Sequence, residues 1–231
     1  MKNTAILTAL AMSAVSVFAG TAPAPAPSGK GTTHPSPSDP CAGPISYNNI
    51  EALYLYTDID GGDSYDGIGA RIEYSPMQNL YLTVGGSWND GDRMEDSNLS
   101  VGLGGYLPLT ENIHAVVEGG ALWINREFEG YGILDNVDGD DWGWYVRPHL
   151  RAKFGCLEIH AGAQYVDVSG SDGVIDPNVT AAVVRYGAWE VEEWSGFANL
   201  YYQVAPGWDL TAGVTFAEDR TTFGGGVRYR F

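Results

Sequence analysis

The last segment of the chain alternates between apolar and polar positions with a period of two residues. Alternate side chains of a β-strand lie on opposite faces. Two arginines, Arg228 and Arg230, therefore share one face of this strand, and the other face is apolar or glycine. The positions on that second face are Phe223, Gly225, Val227, Tyr229 and Phe231. Such a strand is typical of a transmembrane barrel, with lipid outside and a polar lumen inside.

The same alternation divides the chain after Cys41 into segments of about ten residues separated by turn residues. The clearest segment is 142–154, in which the even positions are mostly apolar and the odd positions include four basic side chains. Ten strands are predicted, at 47–58, 66–75, 79–90, 98–107, 112–127, 142–154, 156–168, 192–204, 208–218 and 222–231. They predict an all-β fold, a closed antiparallel transmembrane barrel, because an open sheet edge would leave backbone groups unpaired in lipid.

An eight-stranded barrel is the alternative, for two reasons. Pro148 would remove a ladder donor from inside a strand. The apolar, β-branched stretch 179–184 falls in a predicted loop, although its composition suits a strand.

Connection lengths alternate along the predicted barrel. Tight links occur near 76–78, 108–111, 155 and 206–207, whereas most other links are longer and acidic. Because short periplasmic turns and longer outer loops are typical of such barrels, both termini are expected in the periplasm. An aromatic girdle is expected at the tight-turn end, formed by Tyr74, Tyr81, Tyr106, Phe154, Tyr202, Trp208 and Phe231.

The amino-terminal residues have the features of an export signal. One lysine precedes an apolar stretch at 5–18, and Val17-Phe18-Ala19 places small residues for cleavage after Ala19. We therefore predict a signal peptide at 1–19, with a retained membrane anchor as the alternative. A proline-rich periplasmic tether at 20–44 is expected to be disordered, and the barrel occupies 45–231.

The charge balance argues against a nucleic-acid partner. The full chain has a formal net charge of -17, and removal of Lys2 with the signal makes it -17 - 1 = -18. Nucleic-acid binding favours a basic surface.

The chain ends on Phe231, with Tyr229 two places before it. This ending resembles the terminal strand of Gram-negative outer-membrane barrels, in which a final Phe is read by the assembly machinery. With the alternation and the export signal, it makes residues 45–231 resemble the small outer-membrane β-barrel superfamily. The resemblance implies an outer-membrane location, Tyr229 and Phe231 as an assembly signal, and the barrel assembly machinery, outer-membrane lipid and lipopolysaccharide as partners. A monomer is expected.

Charged and imidazole side chains recur on the inward faces of the predicted strands. Because unpaired buried charges are costly, these residues are expected to form a salt-bridged network that fills the lumen. The alternative is a narrow ion-selective path, although a ten-stranded barrel lies near the filled end of the size range. The network comprises Glu51, Arg71, Glu73, His114, Glu118, Arg147, His149, Arg151, Lys153, Glu158, His160, Asp209, Arg228 and Arg230.

Three inward histidines, His114, His149 and His160, allow a zinc site as an alternative. Hydrogen bonding to Glu118 and Glu158 accounts for the same residues more simply. Outer-membrane barrel enzymes, the lipid A acylases and deacylases and the omptin proteases, place a histidine with Ser or acidic partners at the outer rim. No histidine falls in a predicted outer loop here, and there is no G-x-S-x-G motif. We therefore expect a protein that is not an enzyme.

The predicted outer loops are rich in carboxylates. One contains Asp58, Asp60, Asp63 and Asp66 among glycines, and oxygen ligands on such loops suit calcium. The spacing does not match an EF-hand loop, so a solvated acidic surface is the main interpretation and Ca²⁺ the alternative. No other cofactor is expected.

Cys41 and Cys156 are the two cysteines of the chain. An even count in an exported chain suggests a disulfide. Cys41 precedes the first strand and Cys156 follows a tight turn, so both are expected at the periplasmic mouth. Two free thiols are the alternative.

The function predicted from these features is a non-enzymatic outer-membrane barrel. Its role is envelope-structural, or surface contact through the acidic outer loops. The alternatives are a narrow small-solute or ion pore and, third, a lipid-modifying enzyme. The sequence names no ligand or receptor.

Overall fold

A computed structural model of the chain describes residues 41, 43–59, 64–91, 94–128, 137–169, 190–218 and 220–231. These residues belong to one unit, Pro40–Phe231. No helix within the described ranges is long and apolar enough to cross a membrane. The strands are β1 (Asn49–Ile59), β2 (Tyr65–Met77), β3 (Leu80–Asp90), β4 (Met94–Thr110), β5 (Ile113–Phe128), β6 (Val137–Phe154), β7 (Leu157–Ser169), β8 (Glu190–Ala205), β9 (Trp208–Phe216) and β10 (Arg220–Arg230).

The ten strands form a closed antiparallel barrel in which each strand pairs with its neighbours along the chain. Pairing of β1 with β10 closes the ring, from Asn49↔Arg230 to Ile59↔Arg220. The closure continues one step further, where the Phe231 amide donates to the Asn48 carbonyl at 3.1 Å. The predicted ten-stranded fold is confirmed, and the eight-stranded alternative is wrong.

Pro148 is accommodated without ending β6. It faces outward and is paired with Val117 on the β5 side. On the β7 side the ladder is interrupted at 147–148 and resumes in the same register, since Val146 pairs with Tyr165 and His149 with Gly162. The missing donor therefore interrupts the ladder locally. The stretch 179–184 lies outside the described residues.

Four two-residue turns lie at one end of the barrel, which we call the short-turn end. They join β2 to β3, β4 to β5, β6 to β7 and β8 to β9. Asn79, Gly155 and Gly207 in these turns have φ values of 66°, 60° and 77°, a left-handed conformation that suits glycine and asparagine. The opposite end, the long-loop end, carries the longer links. There β4 and β6 begin four and five residues earlier than predicted, at Met94 and Val137, because the backbone ladder continues past the apolar segment.

The outward face of the barrel is an apolar belt. In water it would be an exposed apolar surface of unusual size, whereas in a membrane it contacts lipid. At the short-turn end the outward aromatic side chains are Tyr74, Phe154, Tyr202, Trp208, Tyr229 and Phe231. At the long-loop end they are Tyr54, Tyr56, Trp88, Trp142, Trp144, Trp194, Phe216 and Phe223.

The expected girdle is wrong for Tyr81 and Tyr106. Tyr81 is fully buried and Tyr106 packs against the internal cluster. Alternation gives the reason, because Leu82 and Leu103 are the outward residues of β3 and β4 and so place both tyrosines on the inward face.

Candidate functional site: a closed lumen below a polar vestibule

Cys41 and residues 43–48, which together we call the plug, enter the lumen at the short-turn end. A disulfide joins Cys41 to Cys156 in the β6–β7 turn, with a Cα–Cα distance of 4.7 Å, inside the usual range for such bonds. β1 and the β6–β7 turn lie about halfway around the ring from each other. The bond therefore holds the plug across the mouth of the barrel.

Aromatic packing fixes the plug inside the mouth. The Tyr47 ring stacks on Tyr106 at 4.0 Å and tilts against Tyr81 at 4.9 Å. Ile45, Tyr47 and Tyr81 form a buried cluster with Val116. Tyr81 lies over Gly104, where a Cβ atom would come within 2.1 Å of the ring. Apolar and aromatic side chains thus fill this end of the lumen.

Two polar contacts tie the plug to the barrel wall. The Tyr47 hydroxyl is 3.0 Å from Nδ1 of His114. The Lys153 ammonium donates to the Gly43 carbonyl at 2.9 Å. Both wall residues belong to the inward set predicted from the sequence.

Immediately inside the plug, Glu73 on β2 is the centre of a first ion-paired cluster. The Arg151 guanidinium, from β6, donates to both of its oxygens at 2.8 and 2.7 Å. Arg71 contributes a third charged contact at 3.1 Å, and Asn49 donates at 3.0 Å. Arg151 also lies 4.4 Å from the centre of the Tyr47 ring. The Arg151–Glu73 pair therefore links β6 to β2 across the lumen and lies against the plug.

Glu118 extends this cluster along the lumen and is fully buried. Arg71 donates to one of its oxygens. The Tyr81 hydroxyl donates to the same oxygen at 2.8 Å, and the Tyr145 hydroxyl to the other at 3.0 Å. Because all three contacts are to the carboxylate oxygens, protein groups compensate the charge of Glu118.

A second cluster surrounds Glu158 on β7. The Arg228 guanidinium, from β10, donates to both Glu158 oxygens at 3.1 and 3.0 Å and to Asp209 at 2.8 Å. His160 is 2.6 Å from Glu158, and Arg230 donates to Asp209 at 2.9 Å. Arg228 lies 3.8 Å from the centre of the Tyr201 ring. Together the two clusters form what we call the charge layer.

The charge layer consists of buried charges that compensate one another. Buried pairs with bidentate geometry hold their side chains in place, and separating them leaves uncompensated charge in a low-dielectric interior. Glu51 is buried beside the layer, opposite Arg71 and Arg228 in the strand register.

The three lumenal histidines make different contacts. His114 meets Tyr47, His149 accepts from the Arg151 Nε atom at 3.1 Å, and His160 meets Glu158. Within the described ranges no group of three or more His, Cys, Asp or Glu side chains could hold a metal ion. The structure therefore does not bring these three residues together as a ligand group.

The candidate calcium loop is described only in part. Asp58 and Asp66 lie on the outward face at the long-loop end, where the Tyr54 hydroxyl donates to Asp66 at 2.5 Å. Asp60 and Asp63 lie outside the described residues. Calcium at this loop stays a prediction.

Beyond the charge layer, toward the long-loop end, the lumen opens into two adjoining cavities of about 240 and 350 Å³, which we call the vestibule. Both are lined by Arg71 and Arg147 and by hydroxyl and amide side chains. Carboxylates line them too, namely Glu51 and Glu73 in the smaller cavity and Asp96, Glu118 and Glu193 in the larger. Glycines at inward positions leave the space open. The shared polar wall consists of Ser87, Asn98, Ser100, Thr215 and Thr222, and the inward glycines are Gly69, Gly85, Gly213 and Gly224.

The vestibule was not predicted from the sequence, because the predicted lumen residues were the charged and imidazole side chains and left out the small polar ones. The available signal was the run of glycine, serine and threonine at inward positions of β3, β9 and β10, where the side chains are too small to fill a lumen.

No protein-family model matches the chain, and no curated protein matches it significantly. Solved structures with similarity to it include the N-terminal β-barrel domain of Pseudomonas aeruginosa OprF, at 10% identity and a TM-score of 0.41, covering 80% of this chain and 98% of that one. The translocator domain of the autotransporter NalP from Neisseria meningitidis has 11% identity and a TM-score of 0.45, covering 79% and 87%. The NanC porin has 5% identity and a TM-score of 0.48, covering 79% and 100%.

These similarities are too distant to transfer a ligand or an activity. The fold stands on the structure of the chain itself, through the closed antiparallel ring and the apolar outer belt. Its last strand has the outward aromatic and inward arginine faces expected from the sequence. The chain is a closed, ten-stranded transmembrane β-barrel.

Proposed function

We propose that this chain is a non-enzymatic, non-conducting barrel of the bacterial outer membrane, with an envelope-structural or surface-contact role. The observation that carries the proposal is the double closure of its lumen, by the plug and by the charge layer. Arg151 is shared between them, since it binds Glu73 and rests on the Tyr47 ring. Contact with other surfaces is assigned to the acidic loops of the long-loop end.

The placement of the histidines supports a role without catalysis. His114, His149 and His160 are buried in the lumen, and each already contacts a protein side chain. A barrel enzyme that acts on lipid needs its acid and base groups where the substrate can reach them. An unchanged lipid A mass spectrum on overexpression supports this part of the proposal, and a new modification contradicts it.

Single-channel recording tests the closed lumen against its rival, a narrow pore. Purified protein, shown to be folded by its heat-dependent gel shift, is added to a planar bilayer. We expect no reproducible conductance steps, because an ion must displace buried, bidentate ion pairs. An open porin added to a parallel bilayer controls for insertion. Defined, repeated steps from the folded protein would establish the pore.

We propose that both termini and the short-turn end face the periplasm. Support comes from the two-residue turns, which share an end with the start of β1 and the end of β10. Short periplasmic turns and longer outer loops are the usual arrangement. The proposed partners are outer-membrane lipid, lipopolysaccharide and the barrel assembly machinery, which would read Tyr229 and Phe231. The proposed site for calcium is the loop of Asp58, Asp60, Asp63 and Asp66.

Epitope tags test this orientation. Tags near Asp63, Asp92, Asp138 and Asp172 are expected to bind antibody on intact cells. Tags at Gln78 or Gly207, in the two-residue turns, are the matched controls, and they should react only after the outer membrane is permeabilised. The reverse labelling pattern would invert the proposed topology.

A further inference from the structure

The vestibule contains an arginine whose bonding differs from that of its neighbours. Arg71, Arg151, Arg228 and Arg230 each contact a carboxylate. Arg147 instead donates through Nε to the amide oxygen of Gln164 at 2.7 Å. Within the described part of the chain, no carboxylate lies at ion-pair distance from the Arg147 guanidinium.

The surroundings of Arg147 leave its charge available to a ligand. Its guanidinium carbon lies 5.0 Å from the centre of the Phe197 ring, so one neighbour is an aromatic face. The residue lines both cavities of the vestibule. Arg71 lines both cavities too, but Glu73 and Glu118 neutralise it. Among the described residues, Arg147 is therefore an arginine of the vestibule floor without a carboxylate at ion-pair distance, and the charge of Glu118 acts on it from further away.

The vestibule walls could complete a binding site. Ser87, Asn98, Ser100, Thr215 and Thr222 border both cavities and supply hydroxyl and amide groups. Inward glycines preserve the volume, and at Gly224 an added Cβ atom would meet Leu55 at an ordinary contact distance of 3.5 Å. An arginine fork beside hydroxyl groups suits a planar or tetrahedral oxyanion.

We propose that the vestibule binds a small oxyanion, a carboxylate or phosphate group, at Arg147. The charge layer forms the floor beneath this ligand, on the side of the short-turn end. The net charge of the chain is -17, and long-range steering therefore does not assist anions. The local contact at Arg147 supplies the attraction, and binding in the millimolar range is expected.

The test is a titration of the folded full-length protein with inorganic phosphate, followed by ³¹P line broadening and repeated with acetate as a competitor. Wild-type protein is expected to broaden the phosphate signal saturably. Arg147→Gln should weaken binding at least tenfold. Gln164→Glu should do the same while keeping the arginine, because the new carboxylate occupies its guanidinium.

Asn89→Asp is the matched control, because it adds the same charge as Gln164→Glu to the wall of the same cavity, the one of about 350 Å³. Its phosphate affinity should stay within about threefold of wild type, because Asn89 contacts Ser87, whereas Gln164 contacts the Arg147 guanidinium directly. Heat-dependent gel shifts verify that every variant is folded. The proposal is overturned by non-saturable binding to wild type, by full binding to folded Gln164→Glu, or by an equal loss in Asn89→Asp.

Discussion

Replacing Arg151 by methionine is expected to lower the free energy of unfolding by about 3 kcal/mol, the low end for breaking a buried ion pair. Arg151 is 1% exposed and donates to both Glu73 oxygens. Its loss leaves Glu73 with Arg71 and Asn49, which compensate in part. Denaturant unfolding of vesicle-inserted protein, followed by tryptophan fluorescence, gives the change.

Two further variants separate this effect from a general loss of charge. Arg220→Met removes a partly exposed arginine that binds Glu193 at 2.5 Å near the long-loop end, and it should cost under about 1 kcal/mol. Combining Arg151→Met with Glu73→Gln should recover most of the lost stability, because no uncompensated carboxylate remains. Equal losses for Arg151→Met and Arg220→Met would show that the charge layer adds nothing beyond an ordinary surface pair.

Removal of the disulfide by Cys41→Ser with Cys156→Ser is expected to lower the free energy of unfolding by about 4 to 5 kcal/mol, on the chain-entropy model. The bond spans 115 residues of sequence, so it removes a large amount of freedom from the unfolded chain. The barrel should still form, since Tyr47 keeps its stacking on Tyr106 and the strand ladders do not involve the bond.

Reductant provides the control for this second prediction. The wild-type protein unfolded in reductant should match the double serine variant, and the variant itself should not respond to reductant. Unfolding curves for oxidised and reduced wild type that coincide would contradict the entropic contribution. Two alkylatable thiols in the non-reduced protein would contradict the bond.

The fold could be predicted from the sequence because every second side chain of a membrane-spanning strand faces lipid and is therefore apolar or small. In 142–154 the inward positions carry Arg147, His149, Arg151 and Lys153, and the structure places all four side chains in the lumen. Strand ends were less accurate at the long-loop end. There β6 begins at Val137, outside the apolar segment, where alternation no longer reports whether the backbone is paired.

The site was predictable only at the level of residue type. Alternation placed Glu73 and Arg151 on inward faces, but which acid meets which base depends on the register and on side-chain reach across the lumen. Arg151 joins β6 to β2, which are not adjacent strands. Tyr47 is the first residue of the strand predicted at 47–58, but β1 begins at Asn49, and the Tyr47 ring lies in the plug and stacks on Tyr106. Tyr81 was assigned to the girdle by its position near a turn, although its parity pointed inward.

The disulfide also determines the connectivity of the covalent chain. With Cys41 joined to Cys156, strands β1 to β6 lie within a covalent hoop, and β7 to β10 form a tail that leaves it. The barrel is complete only when β10 at the end of this tail pairs with β1 at the base of the hoop. In an oxidised chain, β7 to β10 therefore have to complete the barrel against a covalent ring of fixed length. A reduced chain has no such constraint. The order of oxidation and strand pairing thus limits which partly closed intermediates the chain can adopt.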